Sequence, residues 1–277
     1  MQKKIYQVFS LMLALILIFS IAGCSGDKQA NQSNQPAMSN AKSIKLGTLV
    51  TLQPFMVVLK DELVKKGYNV ELVLFDANNM PATATKDGNI DGFIHNHLPW
   101  IKTFNQQNNS KLEMMQPYLF YYRTAMYSSK YKNIDEFPKG IQIAIPNDPT
   151  NIETSLLMLQ QLNLVTLGEK KEKFYTILDI KENPKQIKFL ETEISTTARS
   201  ISDAGAVICP AIRAKQAGID PNSFLAEDKT TVNFPVGLTI DAKNAQAPWV
   251  KDAMDILKSE SIKAKFNELY NGALVLL

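Results

Sequence analysis

The sequence predicts an α/β protein of two lobes joined by two crossings of the chain. Strand-like and helix-like segments alternate from residue 44 onward, a pattern typical of a mostly parallel sheet with helices on its faces. An aromatic-rich strand over residues 118–127 leaves the first lobe, and a strand over residues 232–240 returns to it. Two such crossings form a hinge, and hinged lobes close around ligands.

The first 23 residues have the features of a targeting signal. Lys3 and Lys4 precede an almost entirely apolar run over residues 9–21, and the segment ends in the lipobox-like sequence I-A-G-C, whose cysteine is Cys24. We therefore expect residues 1–23 to be a lipoprotein-type signal peptide and Cys24 to carry the lipid. The alternative is an amino-terminal anchor helix, but the apolar run is short for a membrane span.

Residues 24–42 are rich in Asn, Gln, Ser and Ala and have no apolar period, which predicts a flexible tether after the lipidated cysteine. Loss of residues 1–23 would leave 28 of the 30 basic residues against 27 acidic ones, a net charge of +1. That balance disfavours a nucleic-acid partner. Only Cys209 would remain as a free thiol, so no internal disulfide is expected.

The alternating elements of residues 43–277 define the predicted lobes. The first lobe comprises residues 43–125 and 239–277, and the second comprises residues 126–238. Ligands of such sheets bind beyond the carboxyl ends of the strands. Residues 95–100 and 147–151 are predicted to lie at such ends.

The clearest single motif is the run from Ile143 to Gln160, which predicts a buried strand, a turn at P-N-D-P and then a helix. Thr150 or Asn151 is the expected helix cap. A helix that opens directly after a strand suits an anion, including a carboxylate. The alternative is an ordinary strand–turn–helix connection.

Four landmarks occur in one order along the chain. They are Gly88-Asn89-Ile90-Asp91 followed by His97, Pro99 and Trp100; the P-N-D-P-T-N run of Pro146 to Asn151; Leu178-Asp179-Ile180 with Glu182-Asn183-Pro184; and Asn271-Gly272. Together they resemble the methionine-binding lipoprotein family (MetQ/NlpA type), which are solute-binding components of ABC importers. The resemblance covers nearly all of residues 43–277.

The resemblance implies a two-lobed, periplasmic-binding-protein-like (type II) fold that holds a small polar solute, methionine or another amino acid or derivative. It also implies an ABC permease and its ATPase as partners, and a lipid anchor at the extracytoplasmic face of the cell membrane. We expect a monomer without cofactor or enzymatic activity.

Position by position, the resemblance implies four ligand-binding residues. His97 stands at the family's pocket histidine and Trp100 at a nearby tyrosine. Asn151 stands at the asparagine of the helix start, and Asn233 at the asparagine of the return strand.

The departures from the family pattern fall in the same pocket. Thr154 replaces an arginine, Cys209 an asparagine and His95 a phenylalanine, while Asn78 stands where an aromatic is expected. Loss of a charge-assisted contact to a ligand carboxylate is worth about 1.5–3 kcal/mol. The amino-acid clamp is therefore predicted to differ from that of the family.

With Thr154 in place of the family's arginine, a ligand carboxylate would need another cation as its partner. Arg123 follows Tyr122 on the strand between the lobes, and both are candidate ligand-binding residues; Arg213 is a second candidate cation. The alternative for each arginine is an ordinary solvated side chain.

Two other site classes remain alternatives. His95, His97 and Cys209 have the residue types of a transition-metal site, which we rank below an organic solute because no carboxylate ligand is evident. Cys209, His97 and Asn151 have the residue types of a thiol nucleophile system, but an apolar strand surrounds the cysteine and no catalytic motif accompanies it. A sensing or adhesion lipoprotein on the same fold is the remaining alternative.

Overall fold

The computed structural model describes residues 43–277. The predicted signal peptide, the lipid site at Cys24 and the tether all lie outside the described residues. Within the part that is described, no helix is long and apolar enough to cross a membrane.

Residues 43–277 contain fourteen strands and seven α-helices, with short 3-10 helices between them. The strands are β1 Ser43–Leu49, β2 Asn69–Phe75, β3 Gly92–Phe93, β4 Leu112–Met114, β5 Phe120–Tyr122, β6 Thr124–Tyr127, β7 Gln142–Pro146, β8 Thr166–Leu167, β9 Ile180–Glu182, β10 Lys188–Thr192, β11 Ala206–Pro210, β12 Ala226–Glu227, β13 Thr239–Asp241 and β14 Leu274–Leu276. The helices are α1 Gln53–Lys65, α2 Met80–Lys86, α3 Leu98–Asn108, α4 Pro149–Gln161, α5 Ala211–Gln216, α6 Pro248–Lys258 and α7 Glu260–Tyr270.

The first sheet has the strand order β2-β1-β3-β13-β4. β1 pairs in parallel with β2 and β3, whereas β13 runs antiparallel to β3 and β4. Ile44 and Leu46 alternate with polar residues along β1 and are fully buried. Leu59 and Leu63 lie four residues apart on α1 and are also buried, so the helix turns one apolar face to the core.

The second sheet has the order β10-β7-β11-β6-β12. β7 pairs in parallel with β10 and β11, and β6 runs antiparallel to β11 and β12. Ile143 and Ile145 of β7 and Leu156 and Leu159 of α4 are fully buried in one cluster. The motif of Ile143 to Gln160 therefore folds as the predicted strand, turn and helix.

The chain passes from one sheet region to the other twice. Tyr122 ends β5, which pairs with the carboxyl-terminal β14, and Thr124 begins β6 of the second sheet. The chain passes back to the first sheet between Glu227, in β12, and Thr239, in β13, and we call this stretch the return segment. The first crossing, at residues 122–124, lies within two residues of the predicted boundary between residues 125 and 126. The exact limits of the lobes stay a prediction.

One apolar core joins the two sheets beside these crossings. Leu46 and Ile240 from the first sheet belong to the same buried cluster as Val207 and Cys209 from the second. The lobes therefore pack directly on each other at the hinge as well as being joined by the chain.

The prediction of a continuous return strand over residues 232–240 was wrong. Lys229–Asn233 form a 3-10 helix, and only Thr239–Asp241 are strand. The carboxylate of Asp228 caps the 3-10 helix by accepting from the backbone N–H of Thr230 at 2.8 Å. Pro235 has no N–H to donate to a ladder, so the return begins as a bent segment.

Candidate functional site

Three polar residues follow β3 at the carboxyl edge of the first sheet: His95, Asn96 and His97. Asn78 follows β2 at the same edge, because β1 pairs in parallel with both β2 and β3. Ligands of α/β sheets bind at this edge. We call the group of Asn78, His95, Asn96 and His97 the edge cluster.

His95 is tied to Asn78. Its Nε2 lies 3.1 Å from Oδ1 of Asn78. That oxygen can only accept a hydrogen bond, so Nε2 carries the proton and Nδ1 of the neutral ring is an acceptor. Burial, with a smaller electrostatic contribution from the neighbouring His97 ring, lowers the pKa of His95 to about 4. The ring is therefore neutral at physiological pH.

His97 has a local role at the start of α3. Its Nδ1 accepts a hydrogen bond from the backbone N–H of Trp100 at 3.1 Å, so His97 caps the helix. Burial lowers the pKa of this histidine as well. Its ring packs edge-on against Phe234, with 5.1 Å between the ring centroids. Because Phe234 lies in the return segment, His97 contacts the second crossing.

Tyr122 connects the edge cluster to the first crossing. Its hydroxyl donates to the backbone oxygen of His95 at 3.4 Å. Burial raises the pKa of this phenol well above its usual range, so it remains protonated. The two histidines thus lie between the two crossings, one against Tyr122 and the other against Phe234.

Trp100 lies beside the cluster but packs into its own lobe. Its ring stacks on Phe104 of α3, with centroids 5.2 Å apart and planes inclined by 20°. Both rings belong to a small apolar cluster of the first lobe. The Trp100 ring therefore packs within the first lobe, and its backbone N–H is the group that donates to His97.

The helix start in the second lobe is capped by Asp148, so the prediction of Thr150 or Asn151 as the cap was wrong. Oδ1 of Asp148 accepts from the backbone N–H of Asn151 at 3.1 Å. The side-chain amide of Asn151 also donates to both carboxylate oxygens, at 3.0 and 2.8 Å. The protein's own carboxylate therefore occupies part of the position expected for a ligand anion.

Thr154 lies one turn further along α4 and is partly buried. Its hydroxyl donates to the backbone oxygen of Thr150 at 3.0 Å. A threonine that bonds back to its own helix presents no charge to a ligand.

Arg123 is paired inside the protein. Its Nε lies 2.9 Å from Oε2 of Glu227, an ion pair that lacks hydrogen-bond alignment. Its Nη1 donates to Asn222 at 3.1 Å, and its guanidinium carbon lies 4.8 Å from the centroid of the Phe224 ring. The side chain is only 12% exposed, so the alternative of a solvated arginine was wrong here. Arg213 bonds to Gln216 of its own helix at 2.8 Å.

Cys209 is fully buried in the core that joins the sheets, opposite Ala125 of β6. Burial raises the pKa of its thiol to about 12, which keeps it protonated, whereas a nucleophile or metal ligand needs the thiolate. Within residues 43–277, no group of three or more His, Cys, Asp or Glu residues is arranged to hold a metal ion.

Asn233 ends the 3-10 helix of the return segment and is exposed. It precedes Phe234, which contacts His97. Asn233 therefore lies at the second crossing, although on a helix rather than on the expected strand.

Sequence reasoning missed the role of two residues in this cluster. Asn96 is 7% exposed and donates to the backbone oxygen of Asn78 at 3.1 Å. Phe234 packs on His97. The sequence H-N-H, with a polar residue between two histidines at the end of an apolar strand, was the available signal for Asn96. No local pattern indicates Phe234, because its contact is 137 residues distant in sequence from His97.

Comparison with known proteins agrees with this architecture. The family model described as NlpA lipoprotein matches residues 44–276. The D-methionine-binding lipoprotein MetQ of Escherichia coli O157:H7 is 30% identical over 276 residues, which cover 98% of this chain and 97% of that protein.

Solved structures show the same fold. A lipoprotein of Clostridium difficile 630 superposes with a TM-score of 0.72 at 28% identity, covering 86% of this chain and 99% of that one. A nutrient-binding protein of Burkholderia cenocepacia, bound to methionine, has a TM-score of 0.68 at 27% identity and covers 84% of this chain and 99% of its own. The expected two-lobed, periplasmic-binding-protein-like α/β fold is confirmed. The resemblance seen in the four sequence landmarks is confirmed too, and the chain is a binding protein, not an enzyme, that belongs to the NlpA lipoprotein family.

Proposed function

We propose that this protein binds a small amino-acid-like solute between its two lobes and delivers it to an ABC permease and its ATPase. The observation that carries this proposal is the position of the edge cluster between the two crossings. A ligand held there touches the segments whose backbone must rotate when the lobes close. Binding and closure are thereby coupled through Tyr122 and Phe234.

The proposed ligand-binding residues come from both lobes. His95, His97 and Tyr122 line the site on the side of the hinge, and Asn233 lies beside them at the return segment. Asn151 and Thr154 supply the second-lobe side at the start of α4. Trp100, Arg123 and Cys209 are the remaining proposed ligand-binding residues, and they pack against Phe104, Glu227 and the shared core, respectively.

The solute class follows from the relatives and from the site. One relative is named as D-methionine-binding and one solved structure holds methionine, which supports an amino acid or a derivative here. The site offers neutral side chains, because both histidines are uncharged at physiological pH and Arg123 is already paired. A polar solute that carries its own charges is therefore expected to rely on hydrogen bonds.

We further propose that lipid on Cys24 holds the protein, as a monomer, at the extracytoplasmic face of the cell membrane. The lipobox-like sequence and the lipoprotein names of the relatives support this anchor. A lipid chain with a following tether keeps a folded body near a membrane without a spanning helix.

A thermal-shift screen tests the binding proposal. The full chain, purified in detergent, is heated with L- and D-amino acids, dipeptides, thio-compounds and divalent metal ions in turn. A ligand that binds only the folded state raises the unfolding midpoint, by the equivalent of about 2.7 kcal/mol at 100 times its Kd. We expect a shift with at least one amino acid or derivative and none with metal ions alone. A shift with metal ions only, or with nothing, would contradict the proposal.

A further inference from the structure

Two buried hydrogen-bond acceptors of the edge cluster lie on neighbouring residues. Nδ1 of His95 and Oδ1 of Asn96 are shielded from solvent and make no hydrogen bond within the part of the chain that the structure describes. Asn96 is more than nine-tenths buried. Buried polar atoms are almost always paired, because an unpaired one destabilises the folded protein. These two atoms therefore indicate a partner that donates.

The orientation of both side chains is fixed by Asn78. His95 donates to its side-chain oxygen through Nε2 at 3.1 Å, and Asn96 donates to its backbone oxygen through Nδ2 at 3.1 Å. Reversing the Asn96 amide would set its oxygen against a carbonyl oxygen. With these bonds in place, Nδ1 of His95 and Oδ1 of Asn96 can accept a hydrogen bond but cannot donate one.

The hydroxyl of Tyr122 adds a further constraint. It already donates to the backbone oxygen of His95, so it does not supply the proton that the two acceptors need. Leu46 of β1, Phe93 of β3 and the adjacent Ile94 are buried and apolar, so their side chains supply no donor. The donor must then come from a bound molecule.

A helix N-terminus favours an anion, so with the ligand's carboxylate and the adjoining α-amino group at the start of α4 its side chain lies at the edge cluster. We infer that His95 and Asn96 accept hydrogen bonds from an N–H group, an amide or an ammonium, at the end of that side chain. This inference rests on the proposed function and names the solute class for the same site. A thioether has no hydrogen to donate, and a carboxylate would set its own lone pairs against the two acceptors. Because the His95 ring is neutral at physiological pH, it keeps its acceptor there.

An enclosed water molecule is the competing occupant of this position. A water can satisfy two buried acceptors at once, and the ligand side chain above it would then need no donor. The two cases differ in selectivity, because only a direct contact penalises a ligand that lacks the N–H group.

Calorimetry with ligands of similar length separates these cases. The full chain in detergent, dialysed through denaturant and refolded to remove carried-over ligand, is titrated with L-glutamine, L-lysine, L-methionine, L-norleucine and L-glutamate. We expect L-glutamine or L-lysine to bind roughly 10- to 100-fold more tightly than L-methionine and L-norleucine, with L-glutamate weakest. Tightest binding of L-methionine or L-norleucine would overturn this inference and leave the proposed function standing. Binding of none of the five would also overturn this inference, whereas the proposed function falls only if the wider thermal-shift screen gives no shift.

Two variants at one position test the residue directly. His95→Phe removes the acceptor and is expected to cost the N–H ligand roughly 10- to 100-fold in affinity, with no loss for L-norleucine. His95→Gln retains a donor toward Asn78 and an acceptor toward the ligand, so it should restore most of the affinity. An equal loss for all five ligands in His95→Phe would show a structural effect and overturn the inference. If that variant does not fold, His95→Gln and the panel on the unaltered chain decide.

Discussion

Arg123 and Glu227 form an ion pair, 2.9 Å from Nε to Oε2, that joins the two crossings on the side of the second sheet. Arg123 precedes β6, and Glu227 pairs with Ala125 of that strand just before the return segment begins. The first crossing and the start of the return segment are thus held to each other by charge. Arg123, which the sequence suggests as a cation for a ligand carboxylate, is therefore already paired within the protein.

Glu227→Gln is expected to destabilise the protein by about 1–3 kcal/mol, because it leaves the largely buried guanidinium without its counter-charge. Chemical denaturation followed by circular dichroism measures this loss. The matched control is Glu260→Gln, which removes an equivalent 2.8 Å pair with Lys263 from the surface, where Glu260 is 88% exposed. That control should change stability by less than about 1 kcal/mol. Equal effects of the two substitutions would show that the hinge pair has no special role.

The neutral His95 predicts a pH dependence of stability. Its pKa falls from the usual value of 6.5 in the unfolded chain to about 4 in the folded protein. Between these values the unfolded chain binds more protons, so stability is full above pH 6.5 and falls as the pH drops to about 4. His97, whose pKa is also lowered, contributes in the same direction.

Denaturation curves of the unaltered chain and of His95→Phe, at intervals from pH 8 to pH 4, measure this effect. Between pH 6.5 and 4 the free energy of unfolding should fall less in His95→Phe than in the unaltered chain. Above pH 7 the plots of this free energy against pH should run parallel for the two proteins. The lowered pKa values of Asp179 and Asp252 remove stability only at more acidic pH, so they do not confuse the comparison. Identical slopes for both proteins between pH 6.5 and 4 would contradict a buried, neutral His95.

Thr154→Arg is expected to strengthen binding of an amino acid by roughly 10-fold or more, because a guanidinium fork pairs a carboxylate with two charged hydrogen bonds. Thr154 is partly buried and does not belong to the buried face of α4, so a longer side chain can extend away from the core. Calorimetry with the amino acid that gives the largest thermal shift measures the gain. Thr154→Lys is the control, because it adds a positive charge without the paired donors of a guanidinium, and it should give a smaller gain in affinity. No gain in either variant would show that the ligand carboxylate does not approach this turn of α4.

The sequence predicted most of the fold because its information is local. The alternation along Ile44 and Leu46 and the apolar face of α1 depend on neighbours a few residues away. The same local reasoning misassigned the cap of α4: Thr150 and Asn151 have suitable side chains, but Asp148 precedes Pro149, whose fixed φ begins the helix. Choosing among three good caps needs the geometry of the turn.

The site was harder to predict because its contacts are distant along the chain. Glu227, which pairs with Arg123, lies 104 residues away from it, and Asn78, which orients His95, lies 17 residues before it. The helical or strand periodicity of a sequence carries no information about such long-range pairs. The sequence could place His95 and His97 at a strand end, but it could not show that two unpaired acceptors lie there.

Lobe closure around a bound amino acid is the central claim, and the distance between the lobes measures it directly. Spin labels at Lys102→Cys on α3 and Lys171→Cys in the second lobe, with Cys24→Ser in the same chain, report that distance by pulsed electron resonance; Cys209 is fully buried and should not react. Saturation with the amino acid of largest thermal shift should shorten and narrow the distance distribution. An unchanged distribution at saturation would contradict the account.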